Sequence, residues 1–340
     1  LAGNFILMDE QIKNLAPKIW AEIKQADKIL LNCHYNPDQD SIGSALALMH
    51  ALTGLGKQVT VIKGDSELPT FAQYLPGAEK IALKNYFEIK PEEFDLFIIL
   101  DTASSEQLSR IRKIEFSSGL KTIIIDHHIS NPKFADINLI ADNYPATAQI
   151  LFDLFGEWGI ELNYDIAANL LIGLYGDTGG FRYQLVSEKT FQMAAKLRSL
   201  ISDYSMLLSR IFENTNPQEL KFMGLALNKI ELLFDGRVVI SAVGYDDLID
   251  LKIDPIFTVD SGISSRLRSI KGVEMSFMII EREPGEVNIS ARAKEGSGRD
   301  VAMLMKQFNG GGHVLAAGTT LNKPLAKVKA DLIVALTEML

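Results

Sequence analysis

Short apolar runs alternate with helix-patterned stretches through the first half of the chain. "KILLNCH" (28–34), "KQVTVIK" (57–63), "FDLFIILD" (94–101) and "KTIIIDHH" (121–128) are rich in Ile, Leu and Val and predict strands. Between them "DSIGSALALMHALTGLG" (40–56) and "SSEQLSRIRKI" (104–114) predict helices, and two more are expected near 146–157 and 165–175, the last ending at "GDTGGFRY". Strands alternating with helices at this spacing imply a parallel sheet covered on both faces. From 187 to 213 the pattern turns helical and polar, which places a domain boundary near 200–215.

The second half is patterned differently. "ELLFDGRVVISAV" sets an Asp-Gly turn between apolar runs, a hairpin signal. "VEMSFMIIERE" and "EVNISARAK" flank a Pro-Gly turn at 284–285 and predict another antiparallel pair. "DVAMLMKQF" predicts a short helix, "GGGHVLAAG" a glycine-rich loop, and "LAKVKADLIVALTEML" an amphipathic closing helix. The fold class expected is α/β: a parallel-sheet domain over 8–200, a linker over 201–215, and a smaller α/β domain with a mixed sheet over 216–340.

The chain has 340 residues, 47% of them apolar and 23% charged, which suits two globular domains. No apolar run reaches roughly 18 residues, so no membrane helix is expected. "LAGNFILMDEQIK" has no basic start, so no signal peptide is expected either. The single cysteine, Cys33, forbids an internal disulfide, suits a reducing cytoplasm and rules out thiolate zinc frameworks. A metal site here would need Asp, Glu and His. The net charge of −9 argues against a broad basic face for long nucleic acid, though not against a small anion held by local cations.

Functional groups of open α/β sheets collect at the carboxyl ends of the strands. The expected strand ends here are acidic: His34 with Asp38 and Asp40, then Asp101, then Asp126, His127 and His128, with Asp177 closing a later helix. Each aspartate alone has a plain alternative. Asp40 before Ser41-Ile42, and Asp101 before Thr-Ala-Ser-Ser, could simply cap helices. Together, four carboxylates and two histidines at one sheet edge would repel and perturb one another without a cation. Two divalent ions about 3.5–4 Å apart would resolve that conflict. Oxygen and imidazole donors without thiolate suit Mn²⁺ better than Mg²⁺.

"HYNPDQD", "LDTASS", "DHH" and "GDTGG", in this order, resemble the four motifs of the DHH phosphoesterase superfamily. "GGGHVLAAG" resembles the glycine-rich motif of the associated DHHA1 domain, so the resemblance covers nearly the whole chain. In length and two-domain plan it is most similar to the bifunctional oligoribonuclease (nanoRNase)/pAp phosphatase group. The resemblance implies that His34 and Asp38 hold one metal, Asp40, His127 and Asp177 the other, and Asp101 bridges them. It implies two Mn²⁺ ions, with Mg²⁺ or Co²⁺ as substitutes, and an in-line attack on phosphorus by the hydroxide they activate. His128 would meet the substrate phosphate as leaving-group acid or donor, and Asp126 would orient the histidines. Asn36 and Pro37 would shape the turn between the aspartates. The chain departs from the pattern at Gln39, expected to point outward, and at Ala146 and Gln149 in "NYPATAQILFDL".

In the second domain Gly310, Gly311 and Gly312 would leave backbone N–H groups for an anion, and His313 could donate to a phosphate. Arg266 and Arg292 are candidate partners, because guanidinium matches phosphate oxygens in a fork. Solvated surface arginines and a tight glycine turn are the plain alternatives. A terminal phosphate anchored there would favour short oligomers. Cys33 should face away from His34 into the core, and His50 should be a surface or satisfied helical residue. Leu46, Met49 and Leu52 form a core stripe, whereas Trp20 and Trp158 carry no functional signal.

The expected activity is Mn²⁺-dependent hydrolysis of short oligoribonucleotides and of 3′-phosphoadenosine 5′-phosphate (pAp). The alternative enzyme is a phosphodiesterase of cyclic dinucleotides or linear pApA; the alternative outside enzymes is a non-catalytic nucleotide-binding protein. A family II-type pyrophosphatase would lack the GGGH module, and a processive RecJ-like exonuclease would need further DNA-binding domains. The expected partners are short single-stranded RNA or nucleotides, with no membrane and no long-duplex DNA; a homodimer stays open.

Overall fold

The structure, a computed structural model, describes residues 9–117, 119–258 and 262–340. The chain divides into two compact α/β units, Leu1–Asn214 and Thr215–Leu340. The first contains α1 (Glu10–Gln25), β1 (Lys28–Asn32), α2 (Gln39–Gly54), β2 (Gln58–Ile62), β3 (Leu96–Leu100), α3 (Ser105–Leu108), β4 (Lys121–Asp126) and β5 (Ile137–Ile140). It continues with α4 (Thr147–Glu157), α5 (Tyr164–Asp177), α6 (Glu188–Leu200) and α7 (Tyr204–Phe212).

Its five strands are all parallel, in the order β2-β1-β3-β4-β5. Ile29, Leu31, Ile98 and Ile125 face one apolar cluster with α2, α4 and α5, while Leu30, Phe97, Ile99 and Ile124 face a second with Tyr86, Leu108 and Ile114. Burial on both faces is why these strands are apolar at nearly every position. The chain runs outward from β1 to β2, then returns across β1 to β3. Connections therefore diverge at β1 and β3, which opens a crevice at their carboxyl ends.

Two glycines bring α5 against α2. A Cβ on Gly43 would lie 2.5 Å from the Asn169 carbonyl oxygen, and one on Gly173 would lie 2.8 Å from Asp40 Oδ1. The close approach fixes the end of α5, and with it Asp177, beside the start of α2. Gln39 packs on Gly176 of α5, whose added Cβ would stand 2.6 Å from the Gln39 Cβ. It therefore lies against a helix, not outward.

Three local features differ from the sequence reading. The helix expected over 104–114 stops at Leu108, because Ser109 is extended and Asp65 Oδ2 takes both the Ser109 hydroxyl at 2.8 Å and the Arg110 N–H at 2.6 Å. The edge strand β5 is only four residues long and half buried, too little for an apolar run. In α1, Ile12, Ala16, Ile19 and Ile23 recur at helical spacing and are buried.

The second unit contains α8 (Pro217–Asn228), β6 (Ile230–Leu233), β7 (Val238–Val243), α9 (Tyr245–Asp250), α10 (Ile263–Arg268), β8 (Met275–Glu283) and β9 (Glu286–Ala293). It ends with α11 (Val301–Lys306), β10 (Gly311–His313), β11 (Ala316–Asn322) and α12 (Leu325–Met339). Its sheet is mixed, in the order β10-β11-β9-β8-β7-β6, with β7 and β8 parallel and the other pairs antiparallel. Asp235 and Gly236 both have positive φ, as the turn between β6 and β7 requires. No helix among the described residues is long and apolar enough to cross a membrane.

Candidate metal centre

The carboxyl ends of three adjacent strands carry the histidines and two of the aspartates. His34 follows β1, Asp101 follows β3, and Asp126 ends β4 with His127 and His128 directly behind it. Asp38 and Asp40 stand at the start of α2, and Asp177 ends α5.

Asp38, not Asp40, is the residue that caps α2, and both stay among the groups able to hold a cation. The Asp38 Oδ1 accepts the N–H groups of Asp40 at 3.1 Å and Ser41 at 3.0 Å. Asp40 is fully buried and caps a different helix. Its carboxylate accepts the N–H groups of Thr147 at 2.6 Å and Ala148 at 2.9 Å, plus the Ser44 hydroxyl at 3.2 Å. Ala146, at the N-cap of α4, has no side chain able to do this, so a distant carboxylate supplies the acceptor. Asp101 caps nothing; it adopts φ 50°, a conformation costly for a non-glycine residue, and turns its carboxylate into the crevice.

Asp101 stands between the histidines. Its Oδ2 is 3.6 Å from His34 Nε2, and its Oδ1 is 3.5 Å from His127 Nε2 and 3.8 Å from His128 Nδ1. His34 Nε2 is also 3.8 Å from Asp38 Oδ1, and His127 Nε2 is 3.0 Å from Asp177 Oδ2. Three overlapping groups result. His34, Asp38 and Asp101 can each bring one ligand atom within 4.8 Å of the others, and so can Asp40, Asp101, His127 and Asp177, and Asp101, His127 and His128.

Both ring orientations are fixed from behind. His34 Nδ1 lies 2.9 Å from the Tyr35 carbonyl, and His127 Nδ1 lies 3.2 Å from the Tyr144 carbonyl. Each carbonyl can only accept, so each Nδ1 carries a proton and Nε2 is the atom each ring turns to the carboxylates. His127 Nε2 is buried and makes no hydrogen bond to any described group, despite its closeness to Asp177. Once that atom gives up its proton it aims a lone pair among three carboxylates, as a cation ligand does. The donor set of imidazole nitrogen and carboxylate oxygen fits a first-row divalent ion.

The electrostatics without metal carry the same strain. Burial pushes Asp40 well above the usual carboxylate range, helped by the charges of Asp101 and Asp177. Burial, with Asp38 and Asp101 nearby, raises Asp177 to about 6 against the pull of His127. For His127, burial opposes the charge, but Asp177, Asp101 and Asp40 outweigh it and raise the ring to about 10. His34 is likewise raised by Asp101 and Asp38 against its own burial.

His128 is held in a further arrangement as well. Its Nδ1 meets Asp126 Oδ1 at 2.7 Å, and Asp126 also accepts the His127 N–H at 2.9 Å and the Asn131 amide at 2.8 Å. Burial opposes charge on both, yet the pair raises His128 and lowers Asp126.

Sequence reasoning missed Thr147, whose hydroxyl donates to Asp101 Oδ1 at 3.1 Å, and Asn131, which ties Asp126 to the Thr102 carbonyl at 2.8 Å. Their signals were a threonine in the divergent stretch and an asparagine just after the paired histidines. Gln149 is buried in α4. Cys33 is buried, with its thiol pushed up to about 12 by burial, and His50 rests on the Pro76 carbonyl at 3.0 Å.

The second unit carries the remaining candidates. Arg266 is exposed on α10, and Arg292, on β9, donates to the Ala291 carbonyl at 2.9 Å. The glycine-rich stretch is a hairpin, not a loop: Gly311, Gly312 and His313 pair with Gly318, Ala317 and Ala316. A Cβ on Gly310 or Gly312 would lie 2.4 Å from a carbonyl oxygen of β11, so both must be glycine. The Gly310 N–H donates to the Met305 carbonyl at 2.9 Å and is not open to an anion. The side chain of His313 lies outside what the structure describes.

Residues 28–174 match the DHH family, N-terminal domain, and residues 257–340 match the DHHA1 domain. The chain is 29% identical over 314 residues to the bifunctional oligoribonuclease and PAP phosphatase NrnA of Thermus thermophilus, covering 90% of each chain. It is 26% identical to the cyclic-di-AMP phosphodiesterase PdeA of Listeria monocytogenes, over 92% of this chain and 48% of that protein. A crystal structure of an exopolyphosphatase-related protein from Bacteroides fragilis superposes with a TM-score of 0.87 at 23% identity, covering 99% and 98% of the two chains; this bears on the fold.

Proposed function

Because the chain belongs to the DHH/DHHA1 phosphoesterase superfamily and is a hydrolase, we propose that it hydrolyses short oligoribonucleotides and pAp with Mn²⁺. The observation that carries this reading is Asp101, whose two oxygens face His34 and His127 at 3.6 and 3.5 Å. His34, Asp38 and Asp101 would hold one ion; Asp40, Asp101, His127 and Asp177 would hold a second. Bound there, divalent cations would offset phosphate charge and lower the pKa of water at the site.

The chain's own residues supply the rest. Asp126 holds His128 by Nδ1, so in the imidazolium form the proton on Nε2 is the one available to a leaving ribose 3′-oxygen. Thr147 and the two carbonyls behind His34 and His127 keep the donor atoms aimed before substrate arrives. Arg266, Arg292, Gly311, Gly312 and His313 are the proposed phosphate anchors of the second unit, Gly310 being spent on the Met305 carbonyl. Their support is residue type, together with the match to the DHHA1 domain. We place the reaction in the cytoplasm, where the one cysteine stays reduced.

Likeness to the Listeria cyclic-di-AMP phosphodiesterase supports a second reading, cleavage of cyclic dinucleotides or pApA at the same centre. The test is turnover of pAp, pApA, a five-residue RNA, cyclic di-AMP and pyrophosphate, each with Mn²⁺. Preference for pAp and the short RNA is expected. Preference for cyclic di-AMP selects the second reading, and failure to cleave any of them overturns both.

A further inference from the structure

One residue sits behind the candidate ligands without belonging to them. Tyr144 is buried in the connection between β5 and α4, and its carbonyl is the group that meets His127 Nδ1 at 3.2 Å. Three residues later the same segment delivers the Thr147 N–H to Asp40 and the Thr147 hydroxyl to Asp101, and Ala148 gives a second N–H to Asp40. Residues 144–148 therefore touch three of the proposed ligands at once.

This segment is short and irregular, so something must hold its register. The Tyr144 hydroxyl donates to Asp153 Oδ2 at 2.5 Å, one and a half turns into α4. Lys189, at the start of α6, donates to the Tyr144 hydroxyl at 2.9 Å, forms an ion pair with the same Asp153 oxygen, and sets its ammonium 4.9 Å from the centre of the tyrosine ring. The Asp153 side chain is 5% exposed and that of Lys189 17% exposed. A buried carboxylate and ammonium give little net stability over apolar residues of the same size, because desolvation opposes their attraction. They do fix a geometry.

We propose that Tyr144, Asp153 and Lys189 form a clamp that positions His127, Asp40 and Asp101 for metal binding. The inference rests on the reading of those three as ligands. The clamp ties α4 and α6 to the ring of Tyr144, and the Tyr144 backbone passes that restraint to the His127 imidazole. Without the clamp, the Tyr144 carbonyl and the first N–H groups of α4 lose a fixed position, and the Nε2 lone pair of His127 loses its aim.

The test is Mn²⁺ binding to the full chain by calorimetry, with no substrate present, at a temperature where circular dichroism shows each variant folded. Tyr144→Phe removes only the shared hydroxyl and keeps the carbonyl behind His127, so it is expected to weaken Mn²⁺ binding about tenfold, the low end of the cost of losing a ligand's supporting partner. Lys189→Arg should keep affinity within about threefold of the unaltered chain by the same reasoning. Lys189→Met leaves Asp153 buried without its cation and can unfold the region, so the double variant Asp153→Leu, Lys189→Met is measured beside it; it should fold and bind as weakly as Tyr144→Phe. For both, kcat for pAp should recover at high Mn²⁺. Unchanged affinity in Tyr144→Phe and in the double variant overturns the clamp, whatever happens to Tm. If the unaltered chain binds no Mn²⁺, the proposed function fails with it.

Discussion

The carboxylate of Asp40, buried inside α2, accepts the backbone N–H of Thr147 at 2.6 Å, across 107 positions of chain. It does for α4 what an N-cap side chain normally does from within the same helix, and the positive end of α4 in turn favours the charge. Asp40 thus has a structural task as well as the proposed ligand role, and two substitutions separate them. Asp40→Ala removes the acceptor of two buried N–H groups and should cost about 1–3 kcal/mol in urea unfolding of the metal-free chain. Asp40→Asn keeps one acceptor oxygen and should cost less, yet both should lose hydrolysis of pAp by more than about 100-fold. Full activity in Asp40→Asn would leave Asp40 a structural residue only.

Asp101 takes part in both proposed metal groups, so its loss should be more severe than that of a residue in one. Asp101→Ala is expected to abolish turnover of pAp and of short RNA and to reduce the Mn²⁺ bound per chain at saturation. Asp38→Ala, in the His34 group alone, should leave one ion bound. Elemental analysis after dialysis against Mn²⁺ measures the difference, and equal metal content in the two variants would contradict a shared carboxylate.

The two glycines between α2 and α5 predict a contrast. Gly43→Ala presses a methyl into the Asn169 carbonyl at 2.5 Å, a backbone atom that cannot swing away. It should destabilise the first unit by about 1–3 kcal/mol. Gly173→Ala presses into Asp40 Oδ1 at 2.8 Å and the Ala148 Cβ at 3.1 Å, so the carboxylate itself must move. The expected outcome is a comparable loss of stability together with loss of Mn²⁺ affinity. If Gly173→Ala binds Mn²⁺ normally, the position of Asp40 is not what matters for the ion.

In the second unit, Arg292→Ala should raise KM for pAp about tenfold while kcat falls less, the pattern of uniform binding removed rather than chemistry lost. An unchanged KM would place phosphate anchoring elsewhere.

The parts of this fold that were legible in the sequence are those where one residue type signals one environment. Strands buried on both faces must be apolar throughout, so "FIIL" and "TIII" betray β3 and β4, and the polar residue ending each run marks a sheet edge. What stayed hidden depends on pairs far apart in the chain. Nothing local to "PDQD" tells that Asp38 caps α2 while Asp40 reaches α4, since both oxygens are equally able to accept. The contacts of Thr147 with Asp101 and of Asp65 with Arg110 span 46 and 45 positions. The helix pattern after Ser105 fails for the same reason: the amide of Arg110 finds a carboxylate from another strand's exit before it finds a helical carbonyl.

The charge cluster also predicts a dependence of stability on pH that metal should remove. His127 is raised from its ordinary 6.5 to about 10 in the folded metal-free chain, so between those values the folded state binds more protons than the unfolded one. Its contribution to stability is full below pH 6.5 and is lost as pH rises toward 10. His34 and His128 are raised as well and act in the same direction. Asp177, raised to about 6, has already lost its share by neutral pH. The chain in EDTA should therefore lose stability between pH 6.5 and 9, on the order of 1 kcal/mol per pH unit where a single histidine titrates. Mn²⁺ replaces the protons as the positive charge among the carboxylates, so the loaded chain should lose much less over the same range, and its binding should release protons. Thermal unfolding across that range, with EDTA and with Mn²⁺, gives the two slopes. Parallel slopes would mean that the ion binds somewhere other than among these residues.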